Sequence, residues 1–400
     1  MKKIIVFLLT FTLLILPCNA LVATEYNYSG LTEPLSPVSA KPEKIGADLK
    51  INAKSAVLME ANTGTVLYEQ NPHEKTAPAS ITKIMSLLLV MEALSSGKIN
   101  LETKISASEH ACSMGGSQIW LEPNETMTVD ELLKASAVAS ANDAIVALGE
   151  AVAGSEETFV EKMNEKAKSM GLSDTNFENA TGLDSDNHYT SAFDVAKMSA
   201  ELISHKLIKN YTTVWMDTLR DGKCELVNTN KLVKFYSGCT GLKTGTTSKA
   251  GSCLSATAER DGLSLIAVVM GADSSKDRFN GARKLLDYGF ANYKTATVEV
   301  TEDLLKPIKI EKGFCAFLTP TPECKKSVLL EKGKEENITT KIIAEQKLTA
   351  PIKKGQTLGK AEIYLGDEKI AEIKLLSPET VKKLTVISSF VRMLGFVVKS

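Results

Sequence analysis

The sequence predicts an α+β protein, and three observations carry that prediction. Strand-like runs stand near both ends of residues 53–293, with helical patterns between them, which implies one antiparallel sheet covered by helices. The stretch Ser80 through Leu94 is apolar on nearly all sides, as a helix buried in the middle of a domain must be. Residues 297–376 then switch to short runs that alternate with a period of two, which implies a small second domain made of strands.

The elements follow in order. Ser55 to Met59 and Val66 to Tyr68 flank a turn at Asn62-Thr63-Gly64 and read as a β-hairpin. After the buried helix, further helices are expected in residues 129–137, 142–152, 156–170 and 191–205. Cys253 to Ala258 and Leu263 to Gly271 read as strands about a turn at Asp261-Gly262, and an amphipathic helix covers 276–291. In the second domain, Val298-Glu299-Val300, Ile308-Lys309-Ile310 and Ala371-Glu372-Ile373 alternate as half-buried strands do, punctuated by Gly313, Gly333, Gly355 and Gly366.

The two ends differ from the body. Lys2 and Lys3, an apolar run from Ile4 to Leu16 and then Pro17-Cys18-Asn19-Ala20 have the form of a signal peptide cleaved after Ala20, with Ala23 the second choice. The run is shorter than the ~20 residues of a membrane span. Pro17 directly before Cys18 argues against lipid attachment there. Residues 21–48, with Pro34, Pro37 and Pro42, read as a tether. From Val381 to Ser400 the pattern is again helical: Leu384, Ile387, Phe390, Val391, Leu394, Val397 and Val398 share one half of the wheel. Such a helix suits the headgroup plane of a membrane, with Lys382 and Lys383 drawn to anionic lipid; the other reading is a helix docked on its own domain. The expected division is 1–20 signal peptide, 21–48 linker, 49–294 first domain, 295–378 β-rich domain and 379–400 amphipathic helix.

Of 400 residues 44% are hydrophobic and 24% charged, enough for a large core. The net charge of −1 and the absence of a long basic run with interleaved aromatics give no support for nucleic-acid binding. Six cysteines remain beyond Cys18, none with the paired spacing of a zinc site. Cys239 with Cys253, and Cys315 with Cys324, are disulfide candidates if the chain is exported; the other reading is six free, buried thiols.

Three short signals bear on chemistry. Ser80-Ile81-Thr82-Lys83 opens the buried helix, Ser140-Ala141-Asn142 separates two helical segments, and Lys243-Thr244-Gly245 lies on an apolar-flanked strand. Ser and Lys three apart on a helix share a face. A serine hydroxyl is a weak nucleophile until a base takes its proton, and lysine is a base only if its ammonium is destabilised. Burial, the positive end of the helix dipole and a second cation all act that way; Lys83 gains the first two from its own helix and Lys243 is placed to add the third. The backbone N–H of Ser80, at a helix start, is available to a developing oxyanion. Singly, each signal has an ordinary reading: Ser80 and Ser140 as helix caps, Lys83 solvated, Lys243-Thr244-Gly245 a strand end.

In this order, the three are the signature of penicillin-binding proteins and class A β-lactamases. The chain resembles the low-molecular-mass penicillin-binding proteins, the serine-type D-Ala-D-Ala carboxypeptidases. Gly115-Gly116-Ser117 with Leu121-Glu122, Asn142-Asp143-Ala144, Asn179-Ala180-Thr181-Gly182-Leu183, His188-Tyr189-Thr190-Ser191 and Gly241 through Thr247 all look like segments of that family. The resemblance implies a β-lactamase/transpeptidase-like first domain in which Ser80 is acylated, Lys83 is its base and Ser140 relays protons. It implies that Asn142 holds the substrate amide, that Lys243 orients the substrate and that the Thr246 N–H completes an oxyanion hole. Thr244 and Arg278 match positions suited to gripping a terminal carboxylate, and His188 looks structural. The implied substrates are peptidoglycan stem peptides ending in D-Ala-D-Ala, the implied inhibitors β-lactams, the implied place the outer face of the cytoplasmic membrane, and neither metal nor organic cofactor is needed. Two alternatives remain at this stage. A β-lactamase would need a carboxylate such as Glu178 to activate water, and a wall-binding relative would keep the fold without the chemistry.

Overall fold

Strand β1 (Ser55–Glu60) is buried at every residue because its sheet is covered on both faces. The period of two divides its side chains between two cores: Val57 and Met59 enter one, Ala56 and Leu58 the other. The computed structural model describes residues 49–334 and 337–386. With β2 (Val66–Gln70), β3 (Cys239–Thr247), β4 (Gly251–Arg260) and β5 (Leu263–Ala272), β1 forms an antiparallel sheet in the order β2-β1-β5-β4-β3. The strand carrying Lys243 is therefore an edge strand, open on one side.

The larger core lies under helices α1 (Lys83–Ser95), α2 (Val129–Lys134), α3 (Asn142–Ala153), α4 (Glu156–Ser169) and α5 (Ala192–Ser204). Helix α6 (Ser275–Asn292) covers the opposite face with Ala282, Leu285 and Leu286. Side chains fix several helix starts: Ser155, Ser191 and Ser274 each cap the N–H three residues on, and Thr128 with Glu131 forms a capping box. Helix α1 is buried along its length except near its C-terminus, as its all-round apolarity requires.

Two departures from the sequence reading concern the site. The α-helix starts at Lys83, and Ser80 lies in a preceding 3₁₀ turn, Ala79–Thr82, entered through Ala79 with a left-handed φ of 48°. Helix α2 widens into a π turn, Ala135–Ala139, and stops at Ser140, also left-handed at φ 65°. Both serines thus stand at sharp backbone corners that cost of order 1–3 kcal/mol each.

Of the two readings of Cys239 and Cys253, the disulfide across β3 and β4 does not form. In the observed register Cys239 faces Ala258 and Cys253 faces Gly245, so the two thiols stand at different rungs. All six cysteines of the described residues, Cys315 and Cys324 included, are free.

Strand Tyr293–Val298 continues from α6 into the C-terminal domain, where it pairs with Lys326–Glu331. Beyond it lie a four-stranded sheet (Thr321–Pro322, Glu368–Leu376, Thr357–Leu365, Ile338–Ala344) and a three-stranded one (Phe317–Leu318, Ile308–Glu311, Lys347–Thr349). The expected helix does not begin at Val381. That residue is buried with Ile310 and Ile352 and exchanges backbone hydrogen bonds with Ile352, which keeps the segment extended through the end of the domain. The remainder of the expected tail helix, 387–400, and the signal and linker segments fall outside the described residues.

One close approach sets the active-site wall. Gly182, at φ 88°, lies so near the start of the Ser80 turn that a Cβ there would fall 1.8 Å from the Ala79 carbonyl oxygen. Gly182→Ala is expected to destabilise the protein by about 2 kcal/mol or more, measured by urea unfolding; a variant as stable as the parent would show that this contact yields freely.

Candidate active site

Four chain segments meet at one pocket. The Ala79–Thr82 turn with α1 gives Ser80 and Lys83, the break between α2 and α3 gives Ser140 and Asn142, edge strand β3 gives Lys243, and the loop 179–183 gives a backbone carbonyl. Ser80 is half-buried, whereas Lys83 and Lys243 are among the most deeply buried large side chains of the protein.

The Lys83 Nζ lies 3.1 Å from Ser80 Oγ, 2.5 Å from Asn142 Oδ1 and 2.8 Å from the Thr181 carbonyl oxygen. Burial first, then the neighbouring Lys243, hold its ammonium well below the usual lysine range, against an opposing pull from Asp143. Lys243 Nζ donates to Ser140 Oγ at 2.8 Å and to the Thr244 carbonyl at 3.1 Å. Its own pKa is brought down to about 7 by burial, then by Arg278.

Each partner is fixed by its surroundings. Asn142 Nδ2 donates to the Gly115 carbonyl at 2.6 Å, so the amide oxygen must point to Lys83. Next to it, the buried Asp143 carboxylate accepts the Ile119 and Leu121 N–H groups at 3.1 Å, holding the 115–121 segment against α3. Asn179 Oδ1 accepts the N–H groups of Thr181 and Gly182, a turn that aims the Thr181 carbonyl inward. On β3, Gly245 lets the strand approach the helix start: a Cβ there would lie 2.9 Å from the Pro78 carbonyl.

The remaining predicted residues line this edge. Thr244 Oγ1 donates to Thr229 Oγ1 at 2.7 Å. Arg278 is buried, and one terminal nitrogen, Nη1, donates to the Gly245 carbonyl and to Thr246 Oγ1, both at 2.8 Å, and to the Cys253 carbonyl at 3.3 Å. It braces the end of β3 through that nitrogen, while Nη2 donates to Ser275 Oγ at 3.3 Å. His188 accepts the Glu178 N–H at Nδ1 (3.1 Å), which leaves Nε2 protonated and donating to Thr82 Oγ1 at 2.8 Å. Burial lowers its pKa to about 4, so it is a neutral strut under the Ser80 turn.

The carbonyls of Thr181 and Gly115 were missed as parts of the site by reasoning from side chains, although both lie in the segments Asn179–Leu183 and Gly115–Ser117 singled out in the sequence. Among the described residues one group could hold a metal ion, Glu92, Glu201 and His205. Lys166 already pairs with both of its carboxylates, at 2.6 and 3.6 Å, and none of the four contributes to the pocket described above.

Comparison with known proteins agrees with this geometry. The sequence model of the D-alanyl-D-alanine carboxypeptidase family, peptidase S11, matches residues 40–274, and that of the C-terminal domain of penicillin-binding protein 5 matches residues 316–383. The chain is 45% identical over 369 residues to the D-alanyl-D-alanine carboxypeptidase DacF of Bacillus subtilis, covering 91% of this chain and 95% of that one. Among solved structures it is similar to penicillin-binding protein 5 of Haemophilus influenzae, with a TM-score of 0.72, 32% identity and coverage of 84% and 98%. It is also similar to penicillin-binding protein D2 of Listeria monocytogenes in its ampicillin-bound form, with a TM-score of 0.56, 33% identity and coverage of 61% and 99%. With its paired lysines, two serines and edge strand in one pocket, the chain belongs to the D-alanyl-D-alanine carboxypeptidase family, the low-molecular-mass penicillin-binding proteins.

Proposed function

We propose that the chain removes the terminal D-alanine from peptidoglycan stem pentapeptides through an acyl-enzyme on Ser80. The observation that carries this reading is the bonding of Lys83. A neutral amine has two N–H donors and one lone pair. Asn142 Oδ1 and the Thr181 carbonyl take the donors, so the lone pair is left for the Ser80 hydroxyl. Burial and the charge of Lys243 favour that neutral form.

In the first step the Ser80 O–H proton passes to Lys83 Nζ while Oγ bonds to the carbonyl carbon of the penultimate D-alanine. The oxyanion is met by the N–H groups of Ser80 and Thr246, one at a helix start and one on the open edge of the sheet. Ser140, held by Lys243, hands a proton to the departing amine and takes in its place the one Lys83 received from Ser80, so that D-alanine leaves and Lys83 is neutral again. A water then gives a proton to Lys83 and attacks the ester carbonyl, and Lys83 passes that proton to Ser80 Oγ as the ester bond breaks, which restores both residues. Asn142 also faces the substrate amide. Lys243, Thr244 and Thr246 receive the terminal carboxylate, with Arg278 supporting Thr246 from behind and adding positive charge. A β-lactam would acylate Ser80 by the same first step.

The β-lactamase reading finds less support. Glu178 is exposed and its carboxylate is engaged by the Ser185 hydroxyl and the Asn187 N–H, so it is not free to activate a deacylating water. We further place the chain on the outer face of the cytoplasmic membrane, released by cleavage after Ala20 and attached by an amphipathic helix in the last residues. The apolar half-wheel from Leu384 to Val398 and the signal-like N-terminus support this.

Four outcomes are expected. Mass spectrometry after exposure to penicillin finds one adduct on the parent and none on Ser80→Ala, which also ceases to release D-alanine from a D-Ala-D-Ala pentapeptide; an adduct on the variant would move the nucleophile elsewhere. Lys83→Ala remains folded and acylates at least ~10²-fold more slowly. Because Lys83 acts as a free base, acylation rises with pH through its folded pKa, which lies well below the 10.5 of an unperturbed lysine. Lys243→Gln removes a cation that lowers that pKa, so the rising limb shifts to higher pH; an unmoved limb would separate Lys243 from Lys83. Glu178→Ala leaves the lifetime of the penicillin adduct unchanged, and a longer lifetime would restore the β-lactamase reading.

A further inference from the structure

The last described residues are sewn to one edge of the C-terminal domain. Leu384 N–H donates to the Lys312 carbonyl at 2.7 Å, Phe314 N–H donates to the Lys382 carbonyl at 3.1 Å, and Gly313 bridges Lys383. Whatever follows Val386 must emerge there. The same edge carries exposed apolar side chains: Phe314, Phe317 with 62% of its surface accessible, and Val386 with 88%.

Lysines surround them. In the three-stranded sheet Lys309 is paired with Phe317 on one side and Lys347 on the other, so all three side chains share a face. Lys312, Lys382 and Lys383 are exposed on the two segments that those backbone bonds join. Glu311, 3.6 Å from Lys347, offsets part of this charge. Water alone does not favour an open Phe317 in one row with two lysines. An interface between acyl chains and anionic headgroups does, because the ring enters the apolar layer while the lysine stems lie along it and their ammonium groups reach phosphate. Pairing two copies through this edge would set lysines against lysines.

We propose that this edge, with Phe317, Lys309 and Lys347 in one row on a shared face and Lys382 and Lys383 on the segment joined to residues 312–314, is a second contact with the anionic membrane surface. It rests on the membrane reading above and deepens it: the domain itself lies on the bilayer next to the point where the tail enters. The tail supplies attachment, and the folded edge supplies orientation. The sequence beyond Val386 is rich in apolar residues, among them Phe390, Val391, Leu394, Phe396 and Val397.

The test uses the chain from Leu21 to Ser400 with Phe317→Trp, and the parent with its two native tryptophans as control. Vesicles of phosphatidylglycerol and phosphatidylcholine with brominated acyl chains should quench the added emission of the variant. In the parent background, Lys309→Gln with Lys347→Gln should weaken vesicle binding roughly 10-fold or more while penicillin acylation, which reports the fold, is unchanged. Vesicle binding without quenching at position 317, or with full affinity in the double variant, overturns the contact and leaves tail attachment standing. No vesicle binding by the parent removes the membrane reading and this inference together. A doubled mass of the parent in lipid-free sedimentation, lost in the double variant, would assign the edge to a second copy instead.

Discussion

A lysine amine enclosed without a counter-ion is the constraint on which this structure depends. Lys83 is fully buried, and its three polar neighbours are an amide oxygen, a backbone carbonyl and a hydroxyl. Nothing there compensates a full positive charge in direct contact, and Lys243 opposes one. Folding therefore holds a base where water would hold an acid. The energy for this comes from the apolar helix around it, with Ile81, Ile84, Met85, Leu87 and Leu88 excluded from solvent.

That arrangement demands rigid neighbours, and the fold supplies them by strain and close approach. Ala79 and Ser140 adopt left-handed backbone that neither residue type favours, and each delivers a serine to the pocket. Gly182 and Gly245 permit two separate segments to press on the Ser80 turn. Asp143 and Asn179 organise the loops whose carbonyls fix Asn142 and Lys83. Two of the first domain's left-handed residues thus stand at its chemistry.

Much of this was legible in the sequence. The hairpin, the buried helix and the long helices followed from periodicity, and the three motifs followed from their order and spacing. Of the two readings of the cross-strand cysteines the free thiols hold, because the turn falls at 247–251 and not midway between them, which leaves Cys239 opposite Ala258 and Cys253 opposite Gly245. Arg278 was expected to face the substrate, and only packing shows that one of its guanidinium nitrogens is already committed to Gly245 and Thr246. The start of the expected tail helix failed at Val381, since amphipathic spacing cannot register that a neighbouring strand end, at Ile352, captures the backbone first.

By itself the sequence determined which residue types were available, which of them share a helical face and which stretches must be buried, because those properties depend on neighbours a few positions away. Tertiary structure alone decided that Lys243 is near enough to Lys83 to depress its charge, that two carbonyls from distant loops complete the pocket, and that Lys309 and Lys347 share a face with Phe317 in the second domain. Those depend on separations across tens to hundreds of residues, which only the packed sheet and helices set.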